Sequence, residues 1–537
     1  MFVRVKGKEP NRYLQIVENR RQGKRTVQRV LATLGRVDRL AAGGGVDALL
    51  KSLGRFATQV QVIDGYRQGS LEAGALQHIG PDLVFGRLWQ EVGLDHVLNR
   101  LLQDRHFEFP VERAVYLTVL HRLFESGSDR AADKWRREVR VPGTDVLGLH
   151  HLYRAMRWLG DHKDAVAETL FHRRRDLFTD LSLAFFDTTS LYFEGQGGES
   201  LGQFGYSKDH RPDRHQMVVG AVLTGDGRPV CCELWPGNFA DTKALMRVVD
   251  RLRHRFEIRQ VCWVADRGMI SQDTMQGLQD RQLQYILGGR LRRQREIREK
   301  VLGRPGRYQE VADNLKVKEV WVAERRYIIC LNPQEAAKDA AARQAMLLAL
   351  EEKLKQGAKS MVGHRGYRRF LKIEKGAVSL DPAKIAADAR FDGKYVLCTN
   401  TSLPAAEVAV QYKRLYLVEQ LFRAAKSLLD TRPVFHQWDA TIKGHVFCSF
   451  LALVLIDELK RRLARRDWQL EWHDIRRDLL ALAEVEVRQG EHWYYLRTAL
   501  QGVAGKVLQA TGVKIPSPVR PKAENAVPKD TRAHATS

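Results

Sequence analysis

Three acidic side chains stand where they could do chemistry together. Asp187 follows the apolar run LAFF, Asp266 follows VCWVA, and Glu419 lies within YKRLYLVEQLFRAAK, whose apolar residues recur at helical spacing. An Asp closing a hydrophobic strand ordinarily makes a turn or a helix cap. A Glu four residues before Arg423 ordinarily makes a surface ion pair with it. Brought together from two strands and a helix, however, three carboxylates offer hard oxygen ligands for two Mg²⁺ or Mn²⁺ ions per active site. Such a pair suits phosphodiester chemistry. One ion activates a water or a 3′-hydroxyl and the other stabilises the departing oxygen, so no covalent protein nucleophile is needed.

The elements that must position these groups follow from the patterning. After Asp180, LSLAFFDTTSLYF reads as a strand, and QMVVGAVLTGDGRPVCCELW reads as two strands joined at Thr224 to Gly227. Asp241 is expected to cap the amphipathic helix TKALMRVVDRLRHRF, after which VCWVA, SQDTMQGLQDR and QYILGG read as strand, helix and strand. This β-β-β-α-β-α-β order matches an RNase H arrangement, with Asp187 and Asp266 at the ends of neighbouring strands. A helix from about Ala405 to Leu429 would place Tyr412, Leu415, Tyr416, Glu419, Arg423 and Lys426 on one face.

The expected fold is therefore an α/β RNase H-like catalytic core interrupted by a β-rich insertion. It is preceded by an N-terminal β-hairpin and a helical DNA-binding region, and followed by C-terminal helices. Seven segments are expected: a basic β-hairpin module at 1–45, a helical DNA-binding region at 46–180 and the first part of the core at 181–291. The β-rich insertion at 292–402 forms a subdomain, the catalytic helix and the rest of the core fill 403–460, a helical region spans 461–512, and 513–537 is a disordered tail. Ala41 to Gly45 (AAGGG) reads as a joint, not as a phosphate-binding loop.

Composition narrows the function. The 537 residues carry 88 Lys and Arg against 64 Asp and Glu, a net charge of +24, on a chain that is 44% hydrophobic. A globular protein with that excess suits a polyanionic partner, because Lys and Arg on phosphates release condensed counterions. The six cysteines include no C-x-x-C pair, which argues against a zinc finger or a disulfide scaffold. Val446 to Ile456 is about half the length a membrane span needs, and the N-terminus lacks the apolar core of a signal peptide. A cytoplasmic protein with no membrane partner is expected.

Several basic residues are candidates for DNA contact, each with a plainer reading as a solvated charge. The helix ending near Phe124, a turn at Gly127 and an N-cap at Ser128 outline a helix-turn-helix, whose second helix would project Arg136, Arg137 and Arg140. Lys208, His210 and Arg211, in the loop GYSKDHRPD, could line a DNA channel. Trp321 alternates with apolar neighbours and is expected in the core rather than as a base-stacking tip.

Taken together, FFDTTS, VADRGM and YKRLYLVEQLFRAAK resemble bacterial insertion-sequence transposases of the DDE type, specifically the branch with a β-rich insertion and a Y-x2-R-x3-E-x6-K signature. GYSKDHRPD, WPGNFAD (Trp235 to Asp241), RPVFH and IKGHVF are further similar stretches. One signature position departs, with Leu415 in place of Arg and Arg414 and Arg423 nearby. The resemblance implies that Asp187 bridges both metal ions while Asp266 and Glu419 each complete one, and that Tyr412 and Lys426 contact DNA phosphate. It implies a transposase that binds terminal inverted repeats, nicks double-stranded DNA and joins the 3′-hydroxyl to target DNA, working as at least a homodimer in a synaptic complex on the bacterial nucleoid. A nuclease of the same fold without strand transfer, and a catalytically inactive DNA-binding derivative, are the alternative readings.

Overall fold

Continuous apolar runs, as in QMVVGAVLT, are the mark of strands covered on both faces, and the largest sheet is built from them. The computed structural model describes every residue except 23–24, 43, 55–65, 175–181, 258–260, 357–368, 375–376 and 523–537. The described residues form two compact units. One comprises Met1–Gly80, Glu138–Arg140 and the chain from Leu470 onward, and the other comprises Pro81–Arg137 and Val141–Gln469.

The second unit has a mixed α/β core. Its strands are Leu183–Tyr192 (β1), Gln216–Thr224 (β2), Pro229–Pro236 (β3), Cys262–Ala265 (β4), Gln284–Gly288 (β5), Gln309–Ala312 (β6), Leu315–Val322 (β7), Arg325–Leu331 (β8) and Lys394–Thr399 (β9). They form a nine-stranded sheet in the order β6-β7-β8-β9-β5-β4-β1-β2-β3. β1 runs parallel to β4 and β4 parallel to β5, whereas β2 pairs antiparallel with both β1 and β3. The strands expected within the insertion thus do not stand apart as a subdomain. β9 pairs antiparallel with β5, and β8, β7 and β6 continue outward from it. Pairing on β5 removes an open edge from the core sheet, which is the physical reason for the extension. The helix Pro333–Gln356, the paired strands Leu371–Glu374 and Ala377–Leu380, and Ile385 of the helix Pro382–Ala389 build a separate small core around Leu350, Phe370 and Leu371. Trp321 is 58% exposed and its indole N–H donates to Glu319 at 3.0 Å, so it is not a core residue. Val320 and Val322 take the inward phase of β7, and the alternation turns Trp321 out.

Helices of the same unit cross at close quarters. Leu149–Arg174 meets Asp439–Ala464, a helix long and apolar enough to cross a membrane but with 83% of its apolar window buried. Contact is through glycine: a Cβ on Gly160 would lie 1.8 Å from the Ala440 carbonyl oxygen, and one on Gly444 would lie 1.9 Å from that of Met156.

The expected helix-turn-helix is not formed as read. Ser128 does cap, accepting from Ala131 N–H at 3.2 Å, but the helix is only Asp129–Trp135. Its buried residues are Asp129, Ala132 and Trp135, and the arginines come after its end. Arg136 turns back to Asp133 at 2.9 Å, and Arg137 follows the last turn with its N–H on Lys134 O.

In the first unit the N-terminal hairpin, Tyr13–Gln22 with Arg25–Arg36, gains a third strand, Phe2–Lys6. Gly23 and Lys24 at its tip lie outside the described residues. The joint read at Ala41 to Gly45 falls between two helices, Val37–Ala42 and Gly45–Gly54, with a turn at Gly44 whose φ is 63°, and Gly43 lies outside the described residues. Two regions read as helical contribute strands. Leu71–His78 pairs with Ala483–Gln489, which pairs with His492–Arg497, which pairs with Val519–Pro521. Residues up to 522 of the expected tail are therefore ordered, and the rest lie outside the described residues. Arg140, expected on a DNA-reading helix, is held by Glu484, a carboxylate with no exposed surface that also receives two hydrogen bonds from Arg520, and it lies 3.9 Å over the Tyr495 ring.

Gly444→Ala should force the two long helices apart and cost about 1–3 kcal/mol through overpacking. A thermal melt checks this, and a wild-type melting temperature would refute the close crossing.

Candidate active site

Parallel pairing brings two carboxylates side by side. Phe186 on β1 is in register with Ala265 on β4, so the next residues, Asp187 and Asp266, are neighbours across the strands. Asp187 is not at a strand end as expected: β1 runs on to Tyr192, and Asp187 pairs with Ala221 within it. Burial pushes its pKa up to about 6, with the charges of Asp266 and Asp241 adding to the rise and Lys208 opposing it. The Thr188 N–H donates to its Oδ1 at 2.7 Å.

Glu419 reaches the same cavity from a helix that is broken rather than continuous. Ala405–Lys413 ends before Leu415, Tyr416–Arg423 resumes, and Ala424–Leu428 widens into a π-turn. Leu415, Val418 and Phe422 pack into the core beneath the sheet, so Leu415 does not share the cavity-facing surface with Tyr412, Glu419, Arg423 and Lys426. Tyr416 is exposed.

All three predicted carboxylates line one cavity of about 1240 Å³, together with Asp241, Lys208, His210, Tyr412, Arg423 and Lys426. Arg267, Arg290, Arg292 and Arg293, from the turns after β4 and β5, complete a strongly basic wall. The ligand atoms offered by Asp187, Asp266 and Glu419 are all carboxylate oxygen, which fits a hard divalent cation. The like-charge pressure on Asp187 is what such a cation relieves. Among the described residues, no three acidic, His or Cys side chains are drawn together closely enough to enclose an ion by themselves.

The neighbours of these carboxylates differ from expectation. Asp241 does not cap its helix, whose N-cap is Ala240. Instead it accepts the Thr188 hydroxyl at 2.9 Å and pairs with Lys208 at 3.3 Å, as a fourth carboxylate in the site. Lys208 also donates to the Thr188 carbonyl at 2.7 Å. Tyr412, expected on DNA phosphate, donates its hydroxyl to Asp266 at 3.0 Å and stacks against Tyr395. Burial and the Asp266 charge raise its pKa well above that of a free phenol, so it stays a donor. Gly288 leaves room for that hydroxyl, since a Cβ there would sit 2.3 Å from it. Lys426 donates to Asp209 at 2.8 Å, and burial lowers its pKa while Asp209 opposes the fall. His210 faces the cavity, whereas Arg211 turns to Asp213 at 2.9 Å. Arg414 donates to the Gly225 carbonyl and lies over Phe185, away from the cavity. Arg136, Arg137 and Trp321 do not line the cavity.

Sequence reasoning missed Asp209, Asp241, Arg290 and Arg432. Arg290 donates to the carbonyls of Arg267 and Gly268, at 3.0 and 2.8 Å, and so braces the turn that follows Asp266. A signal existed for three of the four, because Asp209, Asp241 and Arg432 lie in or beside GYSKDHRPD, WPGNFAD and RPVFH.

Tyr412→Phe removes a hydrogen bond to a charged carboxylate and should slow cleavage roughly tenfold while leaving DNA affinity unchanged; equal rates would remove the tyrosine from any positioning role. Asp187 keeps its proton to about pH 6, against 3.8 for an ordinary Asp, so its ionisation opposes folding above that window. Asp187→Asn should therefore abolish cleavage yet stabilise the chelator-treated protein at pH 7 by at most about 3 kcal/mol. The advantage should vanish near pH 4, and equal melting temperatures at pH 7 would contradict it.

Comparison with known proteins gives the family. The sequence model of the IS1634 family transposase N-terminal domain matches residues 2–67, and that of the transposase DDE domain matches residues 179–455, just over half of the chain. No curated protein matches. Among solved structures, a piggyBac transposase synaptic complex with hairpin DNA aligns at 10% identity and a TM-score of 0.37, covering 75% of this chain and 76% of that one. With the DDE domain spanning the whole nine-stranded sheet and all three carboxylates, the chain belongs to the DDE transposases.

Proposed function

We propose that this transposase binds the terminal inverted repeats of an insertion sequence, cleaves the DNA there and joins the freed 3′-hydroxyl to target DNA, as cut-and-paste transposition requires. The observation that carries the reading is the convergence of Asp187, Asp266 and Glu419 on one cavity with a basic wall. The core is RNase H-like in this reading, and its strand order β3-β2-β1-β4-β5, with the central strands parallel, supports it.

Asp187, Asp266 and Glu419 would hold two Mg²⁺ or Mn²⁺ ions. Bound there, the pair supplies a nucleophile at neutral pH and stabilises the leaving oxygen. Asp187, beside Asp266 across the strands and next to Thr188, which bonds Asp241, would be one of the ligands. Tyr412 holds Asp266 in orientation, and Lys208 offsets the gathered negative charge before DNA arrives. Arg423 and Lys426 meet the DNA backbone, with Arg267, Arg290, Arg292 and Arg293 supplying further phosphate contacts. Arg136 and Arg137 remain proposed contacts only as surface charges, not as readers of base sequence. Pairing of two element ends calls for a homodimer on DNA, and the setting is the bacterial nucleoid.

Glu419→Gln should bind an end-containing duplex as wild type does while cleaving at least about a hundredfold more slowly. A strand-transfer assay with pre-cut ends completes the test: joining by the wild type supports a transposase reaction, whereas cutting without joining favours a nuclease.

A further inference from the structure

The loop Ser207–Arg211 faces two ways. Lys208 reaches toward Thr188 and Asp241, whereas the adjacent Asp209 accepts a hydrogen bond from Lys426 at 2.8 Å and forms an ion pair with Arg432 at 3.1 Å. The Asp209 side chain is only 5% exposed and does not line the cavity, while Lys426 and Arg432 both do. A carboxylate so placed stands behind the two cations. It neutralises one of them and leaves a net positive charge directed at the cavity that holds Glu419.

Arg432 is held from several sides. Its guanidinium lies 5.6 Å over the ring of Tyr192, on the same strand as Asp187. The backbone beside it is pinned by Thr431 N–H on the Ala425 carbonyl at 3.1 Å and by Val434 N–H on the Tyr192 carbonyl at 3.1 Å. His445 bonds the Thr431 carbonyl at 3.0 Å, and its other ring nitrogen meets buried Arg122 at 2.8 Å. A planar fork and a point charge sharing one anchor suit a tetrahedral anion with several acceptor oxygens.

We propose that Asp209 is a positioning residue that aims Lys426 and Arg432 as a two-cation clamp on one DNA phosphate beside Glu419. The clamp rests on the assignment of the cavity to DNA phosphodiester chemistry. It makes Arg432, rather than Arg414, the arginine that complements Lys426.

The full-length protein is tested with Mg²⁺ and a duplex carrying the element's own end and flanking DNA, by single-turnover cleavage and by binding across a salt series. Arg432→Ala should lower the slope of log affinity against log salt by about one. Arg432→Lys should keep the slope but lose about tenfold in cleavage, because the fork is gone. Asp209→Asn, nearly isosteric, should keep the slope and lose about tenfold in cleavage, and adding it to Arg432→Ala should cost little more. If Asp209→Asn cleaves at the wild-type rate, or binds more tightly and cleaves faster as the removal of a mask would require, the proposal is overturned. An unchanged salt slope in Arg432→Ala overturns it equally. A purely structural role would lower melting temperatures without changing cleavage per bound protein, and that result also rejects the clamp. Wild-type cutting by Asp187→Asn on the same gel would instead overturn the site assignment beneath it.

Discussion

Like charges do not gather without compensation, and this cleft gathers four carboxylates. Parallel pairing of β1 with β4 leaves Asp187 and Asp266 no choice but adjacency, and Asp241 adds a third negative charge before Glu419 is counted. Asp187 retains its proton to about pH 6 chiefly through burial, and the charges of Asp266 and Asp241 add to the rise. The surroundings answer it locally. Lys208 stands against Asp241 and Thr188, and Tyr412 donates to Asp266. These contacts lower the cost without removing the charge, which is the charge that the proposed metal ions would balance.

The same constraint explains where the basic residues sit. The sheet presents its acids from strand positions that pairing fixes, whereas the cations come from turns and from the broken helix. Arg290 reaches back to the carbonyls after Asp266, and the loop at Ser207 carries Lys208 toward the acids and Asp209 toward Lys426 and Arg432. One short loop thereby relates the carboxylate cluster to the cavity-facing cations. A shift of that loop would disturb both sets together. Site residues mounted on pinned backbone are easier to hold in register than residues on free loops.

The catalytic half of the fold was legible because its signals are local. Strands β1 to β5 are apolar runs bounded by turn residues, and their succession could be read directly. Helix boundaries and long-range strand partners were less accessible. Leu71–His78 exposes five consecutive side chains and has no alternation to read; its strand conformation comes from Ala483–Gln489, far along the chain. Asp241 was misread because an Asp at the start of a helix carries the same local signal whether it caps or faces a cleft. Arg140 looked like a DNA contact only because Glu484 and Tyr495 are remote in sequence. Trp321 shows a further limit: alternation gives two faces but not which one is inside.

Leu415 shows how packing can decide a site residue. It sits in the core with Val418 and Phe422, 6% exposed, where the chain passes from one helix to the next. A guanidinium on that inward path would be buried among apolar side chains without a partner, at a cost of several kcal/mol. Neighbouring Arg414 offers no substitute, since it is bound to the Gly225 carbonyl and laid over Phe185. An arginine for the cavity wall must therefore come from outside this turn. Arg423 is supplied one helical turn beyond Glu419, and Arg432 is supplied from the pinned segment after the π-turn, beside Lys426. The apolar choice at 415 and the ionic arrangement at Asp209 are thus two consequences of one helix packing: its inner face closes the core, so the cationic chemistry is displaced to its end.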